Sequence, residues 1–212
     1  MSVAGRSLQL FFVDGRPDGM LTAEVFNWTG HVLRVPRTQL RDGLARAQAA
    51  FTGVYILLGE RDGAPLAYIG EAENLSDRLR NHAAQKDWWE TAVLITSAAD
   101  NLHKAHVKYL ESRLIEIADT IKAMPLENGN IPARSSLSEA DRANMESFLD
   151  TLRMVLPAIR IDMFLDKSRP AMPAIPQNMS ASVENPVFEM KTPKHGVEGR
   201  AVLQDGEWIV QA

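Results

Sequence analysis

The sequence contains no cysteine, which excludes a disulfide framework and any thiolate metal site. It has no apolar run approaching the roughly 18 residues that a membrane-spanning helix needs. The opening stretch "MSVAGRSLQLFFVDGRPDG" lacks a long apolar segment ending in a cleavage signal, so the cytoplasm is the expected compartment. Positive charge is in short supply too. Lys and Arg number 23 against 27 Asp and Glu, a formal net charge of −4. A protein that met nucleic acid over its whole surface would be basic, so any such role must rest on a local patch. What is present is an ordinary globular composition, 45% hydrophobic and 24% charged over 212 residues. That length supports one good core and a small second unit.

Polar turns divide the chain into regions. Residues 1–50 read as a β-meander, "LQLFFV", "MLTAEVFNW" and "HVLRV" between turns, followed by a helix over 38–50 with Leu40, Leu44 and Ala47 at helical spacing. Residues 51–130 hold the strand "GVYILLG", a short turn "ERDGAP" and the strand "LAYIG". That turn is too short for a parallel crossover, so the pair is antiparallel. A helix from Asn74, a strand "TAVLITS" and a long helix over about 100–124, stopped by Pro125, complete the region. Residues 131–165 carry one amphipathic helix that starts after Ser138. Its stripe of Met145, Phe148, Leu149, Leu152, Val155 and Leu156 is built to dock on the core. Residues 166–186 are proline-punctuated and read as a linker. Residues 187–212 give strands ending in an Asp-Gly hairpin, too small to stand alone unless they dock or belong to a truncated domain. The expected class is α/β (α+β), a small antiparallel β-sheet flanked by helices, with an N-terminal β-meander and a C-terminal β tail.

Chemistry concentrates in the second region. Tyr55 and Tyr68 lie on the two strands of the hairpin, each near a glycine, Gly53 and Gly70. Arg78 and His82 are i,i+4 partners on the next helix and share a face. Glu111 falls within the apolar stripe Val107, Leu110, Leu114 and Ala118, where a carboxylate is costly unless paired or holding a metal. Two tyrosines, an arginine, a histidine and an inward acid suit phosphodiester hydrolysis. The arginine neutralises phosphate charge, the acid holds a divalent cation through oxygen, and a phenolate or imidazole activates water. Taken singly, each residue has a plainer reading, a strand tyrosine, a solvated helix charge or a satisfied buried acid. His103 and His106 read as a basic turn rather than a zinc site, and Trp88 and Trp89 as core anchors.

The ordered set "GVY", "YIG", "NLSDRLRNH" and a glutamate in the next long helix resembles the GIY-YIG nuclease family over roughly residues 51–130. The layout, with "ENGN", the "SLSEADRANMESFLDTLR" helix and "VFEMK", resembles the bacterial subgroup carrying a C-terminal domain of unknown function. The resemblance implies a divalent-metal-dependent endonuclease acting on nucleic acid, DNA in preference to RNA, with one Mg2+ or Mn2+ ion. It implies that Tyr55 acts as general base or water positioner, Arg78 stabilises developing charge and Glu111 binds the metal, with Tyr68 and His82 in support. Gly70 matches the glycine that brings the backbone close to the site, and Asn128 in "LENGN" matches an asparagine the family uses, with Asn130 as the other choice. Glu71 departs from the pattern, since members often carry a non-acidic residue there.

Arg80, Lys86, Lys104 and Lys108 complete the local arc of cations expected to touch the phosphate backbone. No membrane partner is expected. A homodimer, or a protein partner met through the N- or C-terminal additions, remains open. So does the alternative function, a catalytically silent nucleic-acid-binding or protein-interaction module on the same fold.

Overall fold

Strands form early in the chain because aromatic and branched residues alternate between turn signals, and they pair in sequence. In the computed structural model, which describes residues 5–129, 132, 135–166, 187–192, 197–204 and 207–211, β1 (Leu8–Phe12) runs antiparallel to β2 (Leu21–Val25). A turn with Asn27 at φ 62° leads to β3 (Gly30–Pro36), antiparallel to β2. The chain divides into two compact units, Met1–Lys167 and Ser168–Ala212.

The meander is continuous with the hairpin region in one sheet. β3 pairs with β6 (Trp89–Ser97) along its whole length, from Gly30 opposite Ser97 to Pro36 opposite Thr91. β6 pairs in turn with β4 (Gly53–Arg61), and β4 with β5 (Ala64–Ala72), giving one antiparallel sheet of order β1-β2-β3-β6-β4-β5. The physical reason lies in β3 itself. Val32, Leu33 and Val35 are all fully buried and point to both faces, a pattern only an inner strand satisfies. The fold class is therefore α+β, a six-stranded antiparallel sheet flanked by helices, as the sequence leads one to expect.

Each face has its own core. On one lie Val54, Ile56, Ile69, Val93 and Ile95, covered by α3 (Lys104–Ile121) and α4 (Glu139–Ala158). Val107, Leu110, Leu114 and Ala118 form the buried stripe of α3, and α4 docks through Met145, Phe148, Leu149, Leu152, Val155 and Leu156. The two helices are tied by Arg113, which grips Glu146 with Nε at 2.7 Å and Nη2 at 3.1 Å. The opposite face carries Tyr55, Leu57, Ala92 and Leu94 beneath α2 (Leu75–Gln85) and α1 (Leu40–Leu44). The helix expected over 38–50 is shorter than its pattern suggests, a single α-turn between two 3-10 turns. Gly43 sits in it with Val35 so near that a Cβ would lie 2.6 Å from a Val35 methyl carbon.

Trp89 is fully buried and Trp88 nearly so, both in the second core. Among the described residues no helix is long and apolar enough to cross a membrane. In the second unit β7 (Val187–Thr192), β8 (Val197–Gln204) and β9 (Glu207–Gln211) form a three-stranded antiparallel sheet. The Asp205-Gly206 turn, Asn130 and the expected linker from residue 167 onward lie outside the described residues.

The free edge of β5 is closed by residues 125–128. Ala67 N–H donates to the Pro125 carbonyl at 3.0 Å and Glu127 N–H to the Ala67 carbonyl at 2.8 Å. Asn128 continues the ladder with its side chain, accepting from Ile69 N–H at 3.0 Å and donating to the Ile69 carbonyl at 2.7 Å. Asn128→Ala should lower stability by about 1–2 kcal/mol through loss of this pair of bonds. Hydrogen exchange would show the Ile69 amide losing protection first, and unchanged protection there would refute the clamp.

Candidate active site

The register of the β4–β5 hairpin decides where the tyrosines go. Tyr55 lies opposite Gly70 and Tyr68 opposite Leu57, so both rings project onto the face under α2. Gly70 is an ordinary strand residue, and its missing side chain makes room for a neighbour. A Cβ there would meet Tyr55 Oη at 2.3 Å and Cζ at 2.5 Å. The expected role for Gly70 against substrate thus gives way to a packing role, since its open space is filled by the phenol.

Helix α2 supplies the partners. Asn74 caps it, its side chain accepting from Asp77 N–H at 3.1 Å, and Leu75, Leu79 and His82 turn inward. His82 is 3% exposed and Arg78, one turn before, is exposed. Arg78 Nε–H donates to Tyr55 Oη at 3.2 Å, and Tyr55 Oη lies 2.7 Å from His82 Nε2. With Oη accepting from the guanidinium, its own proton points to Nε2. The remaining ring proton then sits on His82 Nδ1, a buried atom without a partner among the described residues. The Tyr68 ring stands 6.0 Å from Tyr55 and 5.3 Å from His82, completing the cluster.

Burial sets the protonation states. It pushes the Tyr55 phenol well above its usual value, Tyr68 adding to the shift and Arg78 opposing it. Burial, then the charges of Arg78 and Lys86, brings His82 down to about 4. At neutral pH the dyad is a neutral phenol donating to a neutral imidazole. Tyr55 is 0% exposed, so its hydroxyl meets a substrate only if Arg78 or Tyr68 moves aside.

Glu111 belongs to the sheet's other face, on the strip of α3 that also bears Lys104 and Lys108. It is half-buried, and burial, then the charge of Glu71, raises its carboxyl to about 7. Lys104, the Glu71 backbone N–H and Arg78 pull in the opposite direction. Arg78 thus acts on Tyr55 directly and on Glu111 through its field, linking the two faces around the end of β5. Among the described residues no three His, Asp or Glu gather as a metal cluster. One half-buried carboxylate beside a second acid still fits a hard cation that keeps most of its water and takes further oxygens from a phosphate.

The expected arc of cations is largely spoken for. Arg80 bonds Asp77 at 2.8 Å and Ser76 at 3.1 Å. Lys86 lies 4.7 Å over the Tyr68 ring and is paired with Glu127, which also holds Arg61. Lys104 bonds Glu71 at 3.0 Å and lies 3.9 Å from Glu73. Lys108 is exposed on α3. Asn128, expected at the substrate, is bound to the Ile69 backbone instead. Glu127 is the site residue that sequence reasoning passed over. Burial works to raise its carboxyl, and the hydrogen bonds from Lys86 and Arg61 overcome that and hold it low. Its only sequence signal is its place beside Asn128 in "LENGN". His103 and His106 stack with ring centroids 3.5 Å apart at the start of α3.

Compared with known proteins, the chain matches no family model, no curated protein and no solved structure.

His82 and Glu111 make opposite contributions to the pH dependence of stability. For His82 the folded value, about 4, lies below the ordinary 6.5, so stability falls as pH drops through that window. For Glu111 the folded value, about 7, lies above the ordinary 4.5, so stability falls as pH rises through that window. The two slopes offset each other where the windows overlap. Glu111→Gln should unmask the histidine, with stability climbing as pH rises from about 4.5 to 6.5 and the variant exceeding the native chain above pH 7 by up to about 3 kcal/mol. Denaturant titrations at several pH values would show it, and identical slopes in both proteins would contradict the assigned states.

Proposed function

We propose that the protein is a divalent-metal-dependent endonuclease of GIY-YIG type, a cytoplasmic enzyme hydrolysing phosphodiester bonds in nucleic acid, DNA in preference to RNA. The observation that carries the reading is the chain Arg78–Tyr55–His82, with Glu111, its carboxyl raised to about 7 by burial, within the field of the same arginine. An exposed guanidinium resting on a buried phenol is a charge ready to transfer to a better acceptor. A phosphodiester oxygen is such an acceptor, being anionic and able to take two parallel N–H bonds.

When Arg78 turns to the phosphate, the Tyr55 hydroxyl is uncovered at the place where water would attack. The anion also cancels part of the positive field that holds His82 low, so Nε2 gains proton affinity as substrate arrives. Water oxygen bonds to phosphorus and the bond from phosphorus to the leaving sugar oxygen breaks. The water proton passes to Tyr55 Oη as the Tyr55 proton moves to His82 Nε2, and the leaving oxygen takes its proton from solvent. Arg78 stabilises the charge on the non-bridging oxygens. Glu111 would hold one Mg2+ or Mn2+, which supplies Lewis-acid polarisation of the phosphate.

A second reading is favoured by the pairing of Arg80, Lys86 and Lys104 with acids. On that reading the fold serves as a protein-interaction module with no catalysis. Labelled DNA and RNA incubated with Mg2+ or Mn2+ separate the two. The endonuclease reading expects metal-dependent cleavage that Arg78→Ala reduces by roughly a hundredfold or more with the fold intact by circular dichroism. Full cleavage by Arg78→Ala would remove the arginine from the reaction, and absence of cleavage on every substrate would favour the interaction module.

A further inference from the structure

The alternation of β5 turns Glu71 onto the face that α3 covers. Glu71 lies opposite Val54 in the hairpin register and two residues past Ile69, and both of those are buried in the core beneath α3. Its side chain is only 13% exposed, so its charge needs a partner. Lys104, the first residue of α3, provides one. The Lys104 ammonium straddles the carboxylate, with Nζ 3.0 Å from Oε1 and 3.0 Å from Oε2, and lies 3.9 Å from the exposed Glu73. One cation held by both oxygens of one carboxylate is the arrangement that a bidentate metal ligand adopts.

Glu111 stands two turns further along the same strip of α3. Long helical side chains lean toward the helix N-terminus, which brings its carboxyl back toward Lys104. The charges of Glu71 and Lys104 both act on it. Lys104 is hydrogen-bonded to Glu71, and among the described residues no side chain hydrogen-bonds Glu111. Two carboxyl groups therefore share one univalent ammonium. An ammonium neutralises one of them, whereas a divalent ion neutralises both.

We propose that Lys104 governs metal entry at Glu111: it holds Glu71 as an internal cation, and a divalent ion binding at Glu111 displaces it and takes Glu71 as a second carboxylate. As a cofactor site of a nuclease this rests on the endonuclease reading, but the exchange of ammonium for metal does not depend on catalysis. Lys104 is placed to leave. Its side chain is 43% exposed and starts from the first turn of α3, so the ammonium can swing into solvent without unpacking the core. Glu71 stays, because β5 is held in the ladder with β4 and the carboxylate is largely buried. The exchange also discriminates between ions. A univalent ion brings no more charge than the ammonium it replaces, whereas a divalent one removes the repulsion between Glu71 and Glu111. An acid at position 71 is misplaced against a phosphate and well placed against a metal.

Mn2+ binding to the full chain without nucleic acid reads the exchange, by calorimetry or by the paramagnetic resonance of the free ion. Lys104→Met should bind Mn2+ about tenfold tighter or more than the native chain, since no ammonium has to leave. Lys104→Gln keeps a donor for Glu71 and so protects the fold, and it should act in the same direction. Glu71→Gln should weaken binding by about tenfold or more, and adding Lys104→Met to it should restore little, because the two residues act as a pair. Mn2+ should also raise the melting temperature of Lys104→Met more than that of the native chain. Equal Mn2+ affinity in the native chain, Lys104→Met and Lys104→Gln would overturn the proposal, as would native affinity in Glu71→Gln. Metal-dependent cleavage with no effect of Lys104 on Mn2+ affinity would leave the endonuclease reading standing without this exchange. Tighter Mn2+ binding by Lys104→Met with no cleavage of any substrate would support the exchange and count against the endonuclease.

Discussion

Tyr55 reaches from an inner strand into the layer beneath α2, where its hydroxyl has no access to water and must find its partners in the protein. A buried hydroxyl left unpaired costs about 1–3 kcal/mol, so the surroundings are arranged around it. His82 accepts, Arg78 donates, and Gly70 leaves the ring its space. This also constrains the pitch of α2, since residues one turn apart must reach the same oxygen from its two sides. Burial of the imidazole itself keeps His82 neutral, because a charged ring in that layer would lie beside Arg78 and Lys86 with little solvent to screen it.

Charge is distributed with the same economy. Lys86 and Arg61 share Glu127, Lys104 engages Glu71, and Arg113 is held by Glu146 with Tyr109 donating to the same carboxylate at 2.6 Å. Glu111 is the exception. Among the described residues no side chain hydrogen-bonds it, and Lys104, whose charge acts on it, is bonded to Glu71. The local balance therefore favours a proton at Glu111, and a cation would relieve the same repulsion.

Sheet order gives the site its rigidity. β4 lies between β5 and β6, so Tyr55 is held by ladders on both sides of its strand. β5 would be a loose edge were it not for the 125–128 segment, which comes after α3 and its left-handed C-cap at Lys122 with φ 54°. The same segment brings Asn128 to the Ile69 backbone and Glu127 to Lys86. Strand edge and charged rim are thus fixed by one short stretch of chain.

Much of this was legible in one dimension. Alternation and turn residues marked β4 and β5, the spacing of Arg78 and His82 put them on one face, and the stripe of α4 announced a docked helix. Those are local facts, determined by the period of a strand or helix and the reach of a short turn. The sequence also led to Glu111, because an acid within an apolar stripe is conspicuous at any fold. It did not reveal that residues 1–50 share the sheet with the rest, since pairing of β3 with β6 is a contact between distant segments that no local pattern records. Nor did it distinguish the roles of Gly70 and Asn128, which look like site residues in the motif and act on Tyr55 and the Ile69 backbone in three dimensions. Which cations remain free was likewise decided only by the fold, because an ion pair forms between side chains the chain brings together from far apart. Residue identity set what each group is able to do, and tertiary packing set which partner it meets.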